Sequence, residues 1–125
     1  MPDKKTIFVV HEHHATHLHW DLRLEMDNVL KSWAVPKKPP LKKGIKRLAV
    51  QVDDHELSYA DFEGEIPEGS YGAGKVMIWD NGNYNLVEST KDKIVVDFHG
   101  KKLKGKYALI RFKKAGEKNW LFFRI

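Results

Sequence analysis

The chain contains no cysteine, which excludes disulfides and thiolate metal sites together. Any metal ion would have to be held by histidine and carboxylate. No apolar run approaches the roughly 20 residues that a membrane-spanning helix needs. The start, Met1-Pro2-Asp3-Lys4-Lys5, leads straight into an apolar run without the pattern of a signal peptide. A cytoplasmic protein with no membrane association is expected. Helical periodicity is missing as well: no stretch holds a 3.6-residue repeat over about twelve positions. Charge of one sign is only slightly in excess, with 22 basic against 17 acidic residues and a formal net charge of +5. That balance leans toward anionic partners such as nucleic acid, and a lysine-rich solvated surface accounts for it equally well. What is present, 42% hydrophobic and 31% charged residues over 125 positions, suits one soluble globular domain, 1–125, and argues against disorder.

Period-two alternation dominates. Along 18–26, Leu18, Trp20, Leu22, Leu24 and Met26 share one face, and His19, Asp21, Arg23 and Glu25 share the other. Further strand-like runs cover 7–10, 29–35, 47–52, 75–79, 84–88, 94–98, 107–112 and 120–125. Asp27-Asn28, Asn81-Gly82, His99-Gly100 and Ala115-Gly116 are turn signals between them. The segment 36–44, with three prolines and four lysines, is a loop, and 66–74 is another, rich in glycine. Many short strands with few or no helices predict an all-β fold, a small closed or crescent-shaped barrel, because closure removes exposed edges.

The polar face of the 18–26 strand presents imidazole, carboxylate, guanidinium and carboxylate in order. Just upstream stand His11, His13, His14 and His17. A hairpin returning at Ala15-Thr16 would set His13 beside His19 and Asp21. On a strand, His19 and Asp21 stand about 6.6 Å apart along the backbone, within reach of one ion. Two imidazoles and a carboxylate suit Mn²⁺, Fe²⁺ or Zn²⁺ and leave positions open for water and substrate. Arg23 extends the row and could fork onto phosphate oxygens. The residues alone equally allow exposed histidines and a surface ion pair worth little.

A second cluster, Asp53-Asp54-His55-Glu56-Leu57-Ser58-Tyr59, follows the basic run 46–52. His55 and Tyr59 could supply a general acid and a hydrogen bond to phosphate; a loop histidine is also commonly idle. Gly69 to Lys75 has the spacing of a nucleotide-binding P-loop, but Val76 stands where Ser or Thr should hold Mg²⁺, and a strand rather than a helix follows. Nucleotide-triphosphate binding is excluded on that ground. Trp20, Trp33, Trp79 and Trp120 fall within apolar patterns and read as core. Lys37, Lys38, Lys42, Lys43 and Lys46 could contact a nucleic-acid backbone or be simply solvated.

Several segments in unbroken order resemble a known family: Phe8 through His13, His17 through Glu25, Leu30 through Lys37, Arg47 through Val50, Asp54-His55, Tyr59 through Gly64, Ile66 through Gly69 and Tyr71 through Gly74. That family is the 3′-phosphoesterase module of bacterial DNA ligase D, with its free-standing archaeal and bacterial relatives. The resemblance implies a small barrel with a concave polar site and a manganese-dependent enzyme that heals 3′ ends. Such enzymes remove a 3′-terminal ribonucleoside as phosphodiesterases and then the 3′-phosphate as phosphomonoesterases, leaving a 3′-OH on DNA or RNA-tipped DNA. It implies His13, His19 and Asp21 as metal ligands, for Mn²⁺ or another divalent ion such as Co²⁺ or Zn²⁺. It implies Arg23 and His55 as phosphate contacts, supported by Lys37, Arg47 and Tyr59. A monomer is expected, working alongside a separate ligase and polymerase.

The chain departs from that pattern at His11, where relatives often have glutamine, and at His14, where they often have aspartate. The ligase-fused modules also carry an N-terminal extension, and this chain starts a few residues before its first strand, which favours the monoesterase step. Two other readings stand beside this one. A non-heme iron oxygenase would use His19-Trp20-Asp21 as an HxD motif completed by His99. A non-catalytic nucleic-acid-binding barrel would use the lysines and treat the histidines as incidental.

Overall fold

The computed structural model describes residues 6–70 and 72–125; Tyr71, part of the resemblance, lies outside them. Among the described residues nine strands follow one another: β1 (Thr6–His14), β2 (Leu18–Met26), β3 (Val29–Val35), β4 (Lys46–His55), β5 (Gly64–Ile66), β6 (Gly74–Ser89), β7 (Lys93–His99), β8 (Lys104–Arg111) and β9 (Asn119–Arg124). No α-helix occurs among the described residues, and two short 3-10 turns, Leu57–Asp61 and Lys113–Ala115, are the only helical pieces there. None of them is long and apolar enough to cross a membrane.

The sheet runs β1-β2-β3-β4-β9-β8-β7-β6-β5, and β1 also pairs with β6. Eight antiparallel strands therefore close into a barrel, with β5 attached to the outer stretch of β6. Closure settles the choice the alternation left between a closed and a crescent-shaped sheet. The β2–β3 hairpin turns at Asp27 and Asn28, both at positive φ (54° and 65°), as a two-residue type I′ turn requires.

Asn81-Gly82 is not a turn. It lies within β6, which runs on for 16 residues because it serves several neighbours: β5 and β1 in its first half, β7 in its second. A bulge at Trp79, between the pairs Val10↔Asp80 and His11↔Ile78, bends it. In the glycine-rich segment before β6, the Ser70 N–H donates to the Pro67 carbonyl (3.2 Å) and closes a turn, as expected. A Cβ at Gly74, where the chain meets β1, would run into the His14 carbonyl.

One face of the strands fills the barrel. Phe8, Val10, Leu22, Leu24, Trp33, Val35, Phe98, Tyr107, Leu109, Trp120 and Phe122 form its core. Trp20 and Trp79 pack partly buried against it, so the tryptophans are structural, as the pattern predicts. A smaller cluster, Val9, Leu30 and Ala60 with Ile7, Leu57, Tyr59 and Ile78, sits on the other face of β1–β3. It pins the Leu57–Asp61 turn against the outer wall.

Asp80 caps the β7–β8 hairpin from within. Its buried carboxylate accepts hydrogen bonds from the backbone N–H groups of Lys101 (2.9 Å), Lys102 (3.1 Å) and Leu103 (2.7 Å). Any side chain at Gly100 would collide with that carboxylate and with Phe8. Asp80→Ala removes three charge-assisted bonds and is expected to cost about 2–3 kcal/mol. A urea unfolding curve would show this as a lower midpoint with an unchanged slope.

Candidate metal and phosphate site

The β1–β2 hairpin sets His13 opposite His19, His11 opposite Asp21 and Val9 opposite Arg23. The β2–β3 hairpin sets Arg23 opposite Ser32 and Asp21 opposite Ala34. Because side chains alternate, all these residues leave the face that fills the core and line the outer wall of the barrel. Residues 55–66 lie over this wall, with Gly72 beside them, and make it concave. Together they enclose a cavity of about 320 Å³, floored by His13, His19, Asp21, Arg23 and His55 and walled by Ala34, Val52, Tyr59 and Ile66.

His13, His19 and Asp21 each offer a ligand atom, all within 4.8 Å of one another. No other such group occurs among the described residues. His19 Nδ1 donates to the His17 carbonyl (3.0 Å), which leaves Nε2 turned to Asp21 Oδ1 at 3.3 Å. His13 Nδ1 stands 3.7 Å from Asp21 Oδ2, and its Nε2 is buried with no hydrogen-bond partner. A buried polar atom without a partner is costly unless something occupies it. Two imidazoles and a carboxylate gathered this closely fit a divalent transition ion. Burial opposes the charge on Asp21, but the hydrogen bond from His19 and the nearby Arg23 outweigh it and hold the carboxyl below its ordinary pKa. The same bond to Asp21 raises the pKa of His19.

Arg23 is buried, 4% exposed, and held at every nitrogen. Nε donates to His11 Nδ1 (3.0 Å), Nη1 to Ser32 Oγ (2.9 Å) and to His55 Nδ1 (3.1 Å), and Nη2 to Asp21 Oδ2 (3.2 Å). The Tyr59 ring faces the guanidinium, 4.9 Å from its carbon. Four of the five N–H groups are therefore engaged, leaving one Nη2–H for an incoming oxygen.

His11 takes no part in the metal cluster. Its Nδ1 accepts from Arg23, and its Nε2 donates to the Phe62 carbonyl at 3.1 Å. Burial and the charge of Arg23 lower its pKa to about 4, so it is neutral, as this pattern of one acceptor and one donor requires. His14 turns away from the pocket and pairs with Glu12 at 2.7 Å.

His55 enters because β4 runs on past Val52, placing it opposite Leu30 across an irregular register. Arg23 always donates, so His55 Nδ1 accepts and Nε2 carries the proton. Burial and Arg23 depress its pKa. Tyr59 lies 4.7 Å from the His55 ring and stacks on Phe62 at 5.1 Å.

Lys37 and Arg47 stand apart from the pocket lining. Lys37 is exposed on the loop after β3, and Arg47 Nε donates to the Lys38 carbonyl at 2.9 Å. His99 is elsewhere, beside Asn85 and Asp97. Ser32 escaped the sequence reading, although a two-residue turn at Asp27-Asn28 fixes the pairing and counting outward places Ser32 opposite Arg23. No sequence signal pointed to the Phe62 carbonyl or to the walls Val52 and Ile66.

Residues 11–111 match the DNA Ligase D 3′-phosphoesterase domain. The chain belongs to that family. Over 122 residues it is 48% identical to the multifunctional non-homologous end joining protein LigD of Mycobacterium bovis, covering 94% of this chain and 16% of that protein. Over 120 residues it is 47% identical to the protein of the same description from Pseudomonas aeruginosa, covering 92% and 14%. The chain thus spans only about one-sixth of the length of these relatives. The span matched to the ligase D phosphoesterase family begins at His11 and takes in every residue of the cluster around Asp21 and Arg23.

Proposed function

We propose that this domain is a metal-dependent phosphoesterase that heals 3′ ends of DNA or RNA-tipped DNA. It would remove a 3′-terminal ribonucleoside and then the 3′-phosphate, leaving a 3′-OH. The observation that carries the reading is a buried, fully oriented guanidinium sharing the Asp21 carboxylate with a two-histidine donor set at the floor of one cavity. A divalent ion held by His13, His19 and Asp21, with Mn²⁺ first in line, would polarise a phosphoryl oxygen and make bound water more acidic.

The remaining groups fit the attack of water on phosphorus. Arg23, with its free Nη2–H, neutralises charge on the equatorial oxygens as the bond to the leaving oxygen lengthens. His55 presents Nε2–H to the leaving oxygen: O5′ of the nucleoside in the first step, O3′ of the strand in the second. Burial and Arg23 lower its pKa, so its part is a hydrogen bond to the leaving oxygen, which takes its proton from water. Tyr59 orients His55 and closes the side of the site. Arg47 acts by holding the loop that carries Lys37, and Lys37 reaches a phosphate farther along the strand. The exposed 3′-OH is then the substrate for a polymerase or ligase.

A 3′-phosphorylated primer–template incubated with the protein tests this. Phosphate is expected to be released with Mn²⁺, to stop on chelation and to resume when the ion is restored. No release with Mn²⁺, Co²⁺ or Zn²⁺ would overturn the reading and leave a non-catalytic binding barrel. The oxygenase alternative draws no support from the geometry, because His99 is not part of the cluster.

A further inference from the structure

The lysines are not spread evenly over the barrel. Its β-strands alternate in direction, so the end of β3, the start of β4, the end of β9, the start of β8 and the β7–β8 hairpin all fall at one end. The exposed Lys37, Lys38, Lys42 and Lys43 come from the β3–β4 connection and Lys46 from the start of β4. Lys101, Lys102, Lys104 and Lys106, more than fifty residues later, come from the β7–β8 hairpin and the start of β8.

Tertiary bonds draw these two groups together. Tyr107 donates to the Pro40 carbonyl (2.7 Å), Arg124 donates to the Leu41 carbonyl (3.0 Å), and Lys43 bridges Arg124 through the backbone. Among the described residues, none of these nine lysines forms an ion pair. The lysines that do, Lys31 with Asp54 (3.5 Å), Lys93 with Glu88 (3.7 Å) and Lys113 with Asp92 (3.4 Å), belong to the opposite end. The basic end also adjoins the cavity: Ala34 lines the pocket, and the lysine-bearing loop begins two residues later.

Lys46 and Lys102 lie over the Phe123 and Trp79 rings (5.2 and 4.6 Å), but no carboxylate neutralises any of the nine among the described residues, and like charges gathered on one surface repel one another and favour the approach of an anion. We propose that this end of the barrel is the track for the backbone of the nucleic acid whose 3′ end occupies the pocket, with the two lysine groups seating successive phosphates. This rests on the phosphoesterase reading and adds where the strand runs. It also implies that affinity for long substrates is set away from the chemistry.

The test compares two triple variants that lose the same charge: Lys42→Gln, Lys104→Gln and Lys106→Gln at the basic end, and Lys91→Gln, Lys114→Gln and Lys118→Gln at the other. Binding of a 3′-phosphorylated primer–template is followed by fluorescence anisotropy over a range of salt. The basic-end variant is expected to bind roughly 10- to 100-fold more weakly at moderate salt, with the slope of log K against log salt shallower by about 2–3. The control is expected to stay within about 3-fold of wild type. Turnover of a nucleoside 3′-monophosphate, too short to reach the track, is expected to be unchanged in both. Equal weakening in the two variants, or an unchanged salt slope in the first, would overturn the proposal. If the wild-type protein binds the duplex in this pattern but releases no phosphate, the enzymatic reading fails while the track survives.

Discussion

Asp21→Asn is expected to lose metal and activity together while the barrel stays folded. The carboxylate does two things at once. Its Oδ1 faces His19 at 3.3 Å, and its Oδ2 is shared between His13 at 3.7 Å and Arg23 at 3.2 Å. It is the sole anion in a buried group whose other members are imidazoles and a guanidinium. The amide keeps the shape but removes the charge, so the two histidines would face a cation with Arg23 unscreened beside it. Affinity for Mn²⁺, read from the free-ion signal in electron paramagnetic resonance, should fall at least about 100-fold. Phosphate release should fall roughly 10³-fold or more. Circular dichroism should be unchanged, because Asp21 carries no part of the barrel core. Activity near wild type in Asp21→Asn would show that His13, His19 and Asp21 are not the metal centre.

Arg23→Lys separates the phosphate from the metal. Lysine keeps a positive charge but cannot serve His11, Ser32, His55 and Asp21 in one plane, as the guanidinium does. Metal affinity should stay within about 3-fold of wild type, while kcat drops on the order of 10²- to 10³-fold. Single-turnover phosphate release at saturating Mn²⁺ measures the second quantity, and isothermal titration the first. The substitution also strands the buried acceptor of His11 and loosens His55, so stability should fall by roughly 2–3 kcal/mol. A kcat close to wild type would mean that the phosphoryl charge is neutralised by another group.

These two expectations differ in how much of them the chain displays as a string. Alternation along β2 separates Leu22 and Leu24 from Asp21 and Arg23 without reference to any other strand, since the two faces of a strand meet different surroundings. Tight turns extend that reach. The short β1–β2 connection brings His13 to His19, and the two-residue turn at Asp27-Asn28 brings Ser32 to Arg23, because a short loop fixes the register. The all-β class and the polar row His19, Asp21 and Arg23 follow from such local rules; they leave His13 one of several upstream histidines, and the family resemblance is what singles it out.

Other features depend on contacts between distant segments. The Asn81-Gly82 pair has a turn's composition, yet it continues β6, because pairing with β1 on one side and β7 on the other holds the chain extended. His55 reaches Arg23 only through the lengthened β4 and its irregular register with β3. Tyr59 and the Phe62 carbonyl reach the site only because Ala60 and Leu57 bury themselves against Val9 and Leu30. The two groups of lysines meet only once the barrel has closed.

The sequence by itself therefore determined the all-β class, most of the strands, the pairing across short turns and the candidate residues for a metal and a phosphate. Tertiary structure alone decided that the polar face lies on the outer wall, that His11 serves Arg23 and not the His13–His19–Asp21 cluster, and that the basic residues share one end. The physical reason is that alternation and turn chemistry act over a few residues. Barrel closure and the burial of an overlying segment depend on how well surfaces far apart in the chain fit one another.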